Sequence, residues 1–180
     1  MPMALCGYAT RWNHVVHHHG NTVMALPGAF HRTLRSGTTV KLLLNHFDDQ
    51  CVGSTDDNLE LYSDQYGLAF RFRIAETEDG QYVRSMAGSN DCMSIGYRNA
   101  KTIVRKIGGL DVMCIVQTDL YEISFMHGLN AGLVTDAYAT LMDTDYSNSL
   151  CEECSGGRFL HEGAAVGFKR SLQHLLNNTS

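Results

Sequence analysis

Proline and charge are both scarce in this chain. Two prolines in 180 residues leave few fixed backbone breaks, and Pro27-Gly28 is the plainest of them. Charged residues make up 18%, below the roughly 25% of ordinary soluble domains, so few side chains are committed to solvated faces and many strands are expected. There is no block of Lys or Arg, and the net charge is −5 with a pI near 5.9. That excludes the electrostatic footprint of a nucleic-acid or anionic-membrane partner. No run approaches the roughly 18 to 20 apolar residues that span a bilayer, and the start lacks a basic segment followed by an uninterrupted apolar one. The expectation is a protein neither secreted nor membrane-bound, whose six cysteines are reduced thiols rather than a disulfide framework. Internal repeats, low-complexity tracts and coiled-coil heptads are also missing.

What is present reads as one domain with a short appendage, divided into a domain over 1–147 and a tail over 148–180. Residues 4–12 and 21–26 read as strands separated by a polar, histidine-rich loop over 13–20. A short helix over 29–35, ended by Ser36-Gly37, precedes a β-branched and leucine-rich strand over 39–45, with His46 at its exit. Strands follow over 59–62 and 68–74; the second alternates Leu68, Phe70, Phe72, Ile74 against Ala69, Arg71, Arg73, which predicts one wet face. Thr77 can cap a helix over 78–87. Two long strand-like runs, 92–106 and 110–126, flank Ile107-Gly108-Gly109, a hairpin signal because glycine permits positive φ. A closing helix is expected over 134–142 and a last amphipathic segment over 162–176. The fold class is mostly β with flanking helices.

Chemistry-bearing residues stand out at three places. A serine hydroxyl is a poor nucleophile unless an imidazole takes its proton, and the imidazole works best when a carboxylate holds its tautomer. Ser94, His46 and Glu122 supply those three types. Strand alternation sets Ser94 opposite Met93, Ile95 and Tyr97, and Glu122 opposite Tyr121, Ile123 and Phe125. Pairing through the Gly108-Gly109 turn would bring both to one side of the sheet. On periodicity alone, an isolated serine or glutamate on a strand ordinarily faces solvent. His127, just after the glutamate strand, is an alternative base, and Cys92, two residues before Ser94, an alternative nucleophile, though a small core cysteine is the commoner case. His14 and His17-His18-His19 suit a solvated loop better than one metal ion, because adjacent side chains on an extended segment point alternately. Cys151 and Cys154 with His161 and His174 offer four zinc donors, but their spacing matches no compact finger.

Six landmarks in order carry a resemblance over roughly 4–142: Gly7-Tyr8-Ala9, Pro27-Gly28-Ala29-Phe30, the run from Val40 to His46, Gly67-Leu68, Met93-Ser94-Ile95-Gly96-Tyr97, and Glu122-Ile123-Ser124. Together they resemble the prohead (capsid maturation) protease family of tailed bacteriophages. The resemblance implies an assemblin-like β-barrel of about seven strands surrounded by short helices. It implies a serine endopeptidase with Ser94 as nucleophile, His46 as general base and Glu122 as third member, needing no cofactor and no metal. Its substrates would be scaffold protein, the scaffolding extension of the major capsid protein, and itself, inside the assembling procapsid in the host cytoplasm; a homodimer follows by analogy with herpesvirus assemblins. The tail would direct packaging or be removed by self-cleavage. Two departures from the family pattern touch loops near the site: Phe47-Asp48 after His46, and no proline in the run from Met126 to Ala131. Oxyanion donors are expected among backbone amides near Gly96 or the 107–110 turn, with Arg98 or Arg105 assisting. The competing readings are a catalytically idle barrel serving as a scaffold or capsid-assembly component, and a small zinc-binding interaction protein.

Overall fold

The computed structural model describes residues 3–18, 20–87, 92–126 and 138–143, and at 18, 86, 92 and 138–143 the backbone alone. In chain order the elements are β1 (Met3–Arg11), β2 (Val15–His18), β3 (Asn21–Ala25), α1 (His31–Ser36), β4 (Lys41–Leu44), β5 (Phe47–Ser54), β6 (Leu59–Ser63), β7 (Gly67–Arg73), α2 (Glu78–Met86), β8 (Cys92–Ile107), β9 (Leu110–Met126) and β10 (Tyr138–Asp143). The protein is mostly β, with two short helices among the described residues.

The β8–β9 hairpin is the spine. Its strands pair antiparallel from Cys92↔Met126 to Ile107↔Leu110, closed by Gly108 and Gly109 at φ 58° and 84°. Both φ are positive, the conformation a two-residue hairpin loop demands and glycine adopts at little steric cost. On its other edge β9 carries two strands in line, both parallel to it: β3 at Val23↔Met113 to Ala25↔Ile115, then β4 at Lys41↔Glu122 to Leu44↔Phe125. Helix α1 and the turn before it fill the gap between them. There the buried Thr33 hydroxyl accepts the Leu120 N–H at 3.0 Å and the Ala29 carbonyl accepts the Thr118 N–H at 2.8 Å, so these two β9 donors are satisfied where the strand lacks a neighbour.

The core lies under this surface, built from Leu5, Phe30, Leu42, Leu44, Phe70, Phe72, Ile123 and Phe125 among others, each nearly or fully buried. Burying one such side chain contributes about 1.5–3 kcal/mol, which is why the apolar run of β4 seats so firmly against β9. Helix α2 starts as its sequence predicts: the Thr77 hydroxyl accepts the Gly80 N–H at 3.2 Å, and Val83 on its inner face is fully buried.

Four expectations are corrected. The described strands do not close into a barrel of about seven: the ten form one sheet whose path runs β2-β3-β9-β8-β10-β1-β7-β6, with β4 and β5 branching from β9. The reason is that β9, 17 residues long, accepts two successive neighbours on one edge, so the sheet forks. Residues 15–18 are not loop but β2, paired with β3, because Val15 and Val16 have a facing strand to bond. Residues 138–143 are a strand and not the end of a helix, pairing with β1 from Met3↔Asp143 to Tyr8↔Tyr138; residues 134–137 of that expected helix lie outside the described residues. Nor does β7 keep a wet face at its centre. It lies between β1 and β6, and Arg71 is 7% exposed with its charge met by Glu60 at 2.6 Å.

Candidate functional site

Across the inner part of the hairpin, Ser94 sits opposite Ser124 and Gly96 opposite Glu122. Residues two apart on a strand share a face, so these four make a small square patch on one side of the sheet. Ser124 and Glu122 are buried, at 0% and 1% exposure. Gly96 leaves the space the carboxylate occupies: a Cβ there would fall well inside van der Waals contact with Glu122 Oε1.

His46 reaches this patch from β4. Leu44 pairs with Phe47, so Asn45 and His46 are the two residues of a tight β4–β5 hairpin. Both have positive φ, 50° and 64°, the type I′ requirement that usually selects Asn-Gly. A non-glycine residue in that region costs on the order of 1–2 kcal/mol. Neighbours offset the cost: Asn45 N–H donates to the Phe125 carbonyl at 3.0 Å and His46 N–H donates to Ser124 Oγ at 3.1 Å. The sequence shows His46 leaving a strand but not β5, whose polar start, Phe47-Asp48-Asp49-Gln50, hides the pairing.

The imidazole then joins two groups. Nδ1 donates to Glu122 Oε1 at 2.6 Å, and Nε2 lies 2.9 Å from Ser94 Oγ. Glu122 uses its second oxygen, Oε2, to accept the Ser124 hydroxyl at 2.7 Å. A carboxylate accepting on both oxygens puts the imidazole proton on Nδ1 and leaves the Nε2 lone pair facing the Ser94 O–H. The hydrogen bond to Glu122 raises the His46 pKa above its ordinary 6.5, burial opposes the rise, and the Glu122 charge adds to it. The glutamate side chain is 2% exposed and the histidine side chain 39%. The line Glu122–His46–Ser94 therefore runs from the interior to the surface.

Beside Ser94 the sheet opens into a cavity of about 90 Å³, lined mainly by apolar side chains of β1, β2, β3, β8 and β9, Val16, Val23, Ala25, Met93 and Ile115 among them, with Arg11 and His14.

The remaining candidates fare differently. The 107–110 turn and Arg105 lie too far along the same strand: at about 3.3 Å per residue they stand tens of Å from Ser94, out of reach of a carbonyl held there. Arg98 is four residues from Ser94 and exposed, its charge helping to lower the Asp119 pKa after the hydrogen bonds from Asn99 and Arg32. His17 Nδ1 is 3.1 Å from the Thr22 hydroxyl, and no three His, Cys, Asp or Glu side chains among the described residues converge on a common point. His127, Cys151, Cys154, His161, His174 and the Cys92 side chain lie outside the described residues, as does the 147–148 boundary. Ser124, as a partner of Glu122 and His46, and Gly96, as the space for the Glu122 carboxylate, bear on the cluster in roles the sequence did not assign them; the faint signal was the shared period-two face with Glu122 and Ser94.

Among families of known proteins, one described as caudovirus prohead serine protease matches residues 2–154. Comparison with curated proteins finds no match.

Proposed function

Since the chain belongs to the caudovirus prohead serine protease family, a family of capsid-maturation hydrolases, we propose that it is a serine endopeptidase working through Ser94, His46 and Glu122. The observation that carries this is the unbroken hydrogen-bonded line from the buried Glu122 carboxylate through both imidazole nitrogens to Ser94 Oγ.

In this reading His46 Nε2 takes the Ser94 proton as Oγ attacks the scissile carbonyl, and the imidazolium then delivers that proton to the departing amine. Water, deprotonated by the same nitrogen, splits the acyl-enzyme and frees the new carboxyl end. Glu122 holds the Nδ1–H tautomer and stabilises the imidazolium without taking its proton. Backbone amides near Gly96 are the oxyanion candidates within reach of Ser94. The cavity beside Ser94 receives a small or medium apolar side chain next to the cut bond. An idle capsid component would have no use for a pre-set imidazole between a buried carboxylate and a half-exposed hydroxyl, so the geometry favours the enzyme. The substrates are scaffold protein or the scaffolding extension of the major capsid protein, and the protease itself, cut inside the procapsid as it assembles in the host cytoplasm. Pairing into a homodimer and removal of the tail by self-cleavage belong to the same reading. Among the described residues no helix is long and apolar enough to cross a membrane.

The test is Ser94→Ala. Purified wild-type protein, co-expressed with its scaffold, should shorten the scaffold or itself, and the variant should be silent with an unchanged circular-dichroism spectrum. A serine-directed phosphonate should label wild type at Ser94. Cleavage by a folded Ser94→Ala protein rejects the assignment.

A further inference from the structure

We infer that Ser124 is a positioning residue for His46 and Glu122, acting as a brace that fixes both at once; this rests on the proposed roles of Ser94, His46 and Glu122. Its hydroxyl has one proton to give and lone pairs to offer. The proton goes to Glu122 Oε2 at 2.7 Å, and a lone pair accepts the His46 backbone N–H at 3.1 Å. Ser124 is fully buried, so its hydroxyl is shielded from bulk solvent.

Each bond has its own task. The first fixes the rotation of the carboxylate: with Oε2 tied to a side chain two residues along the same strand, Oε1 is left aimed at Nδ1. The second clamps the turn that carries the base. His46 sits at φ 64°, a conformation an L residue leaves readily unless its surroundings over-determine it. With its N–H held by Ser124 and its neighbour Asn45 N–H held by the Phe125 carbonyl, the turn is pinned to two successive residues of β9. Ser124 also stands opposite Ser94 in the hairpin ladder. Base, acid and nucleophile thus share one residue as their common reference, and the separation of imidazole and hydroxyl follows from strand register rather than from a flexible side chain.

A purely structural serine and a brace differ in measurable ways. Removing the hydroxyl frees the carboxylate to rotate and unclamps the His46 turn, so the hydrogen bond from Nδ1 to Oε1 weakens and the His46 pKa falls back toward 6.5. For Ser124→Ala, kcat/KM is expected to fall about 10- to 100-fold, the rate equivalent of one lost charge-assisted hydrogen bond, mainly in kcat. The midpoint of the pH–rate limb should move to lower pH. Ser124→Thr, which keeps the hydroxyl, should restore most of the rate, whereas Ser124→Cys, near in size but a weak donor, should behave like alanine; the cysteine variant carries the test if the alanine variant does not fold. The His46 pKa read by NMR titration in the Ser94→Ala background, free of self-cleavage, should show the same downward move. An unmoved or raised His46 pKa, with kcat/KM of the alanine or cysteine variant within twofold of wild type, overturns the inference. If Ser94→Ala alone still cleaves, the underlying serine reading is what has failed; if it is silent while the Ser124 variants stay fully active, only the brace has failed.

Discussion

Gly96 is the position where one methyl group would do most harm. Its missing Cβ is the space in which the Glu122 carboxylate lies, so Gly96→Ala must displace either the strand or the acid. Overpacking of this kind costs about 1–3 kcal/mol. A lower Tm together with a loss of cleavage larger than that of a surface control is the expected outcome, read by calorimetry and scaffold processing. Glu122→Gln asks a different question, since the amide keeps the shape but loses the charge and can force the wrong imidazole tautomer. Its kcat should fall by about 10⁴-fold. Because the hydrogen bond and charge of Glu122 hold the His46 pKa above 6.5, the residual activity should also titrate at lower pH than wild type. A pH–rate profile in which the limb does not move would separate Glu122 from His46 functionally.

At the scale of elements, the β4–β5 turn and the floor of the cavity each yield an outcome. Asn tolerates the left-handed region better than most residues, and a β-branched residue tolerates it worst. Asn45→Gly should therefore leave stability and cleavage nearly unchanged. Asn45→Val should cost about 1–2 kcal/mol and reduce cleavage by misplacing the neighbouring His46, as denaturant melts and a peptide assay would show. On β3, Ala25 lines the cavity beside Ser94 and is 7% exposed. Ala25→Leu should fill that space, so cleavage narrows to substrates with glycine or alanine beside the cut bond, while a small phosphonate still labels Ser94. Equal cleavage of large and small substrates by this variant would show that the cavity receives no substrate side chain.

For the whole molecule, pH separates stability from activity. A raised His46 pKa means that the folded state favours the charged imidazole, a contribution present in full below 6.5 and lost as pH rises through the folded value. Glu60 acts in the opposite sense. Burial pushes its carboxyl up, but hydrogen bonds from Arg71 and Tyr62 and the charges of Arg71 and Arg73 outweigh burial and hold it below 4.5, so its contribution is present above 4.5 and lost as pH falls through the folded value. Both contributions are complete between those limits, and Tm measured across pH should peak there. With His46 as the proposed base, cleavage requires its neutral form and should instead climb above 6.5. Coincident optima for Tm and kcat/KM would contradict this linkage.

Local signals carried a good share of the fold because they are local in cause. Apolar periodicity marked β1, β3, β4 and β7, the paired glycines marked the β8–β9 turn, and Thr77 marked the start of α2, each depending only on neighbouring residues and backbone sterics. Less visible were β2 and β5, whose polar stretches become strands because a partner strand offers hydrogen bonds, and β10, where a run suited to a helix is captured between β1 and β8. The sequence by itself determined the kinds of groups available, a serine, a histidine and a glutamate on or beside apolar strands, and which strand face each one takes. Only the tertiary structure decided that residues 48 and 76 positions apart meet, that His46 arrives on a left-handed turn, and that Ser124 and Gly96 stand beneath it. The physical reason is that contact across a sheet depends on register and on which strand occupies which edge, and those are set by the summed burial of the whole core rather than by any segment of chain.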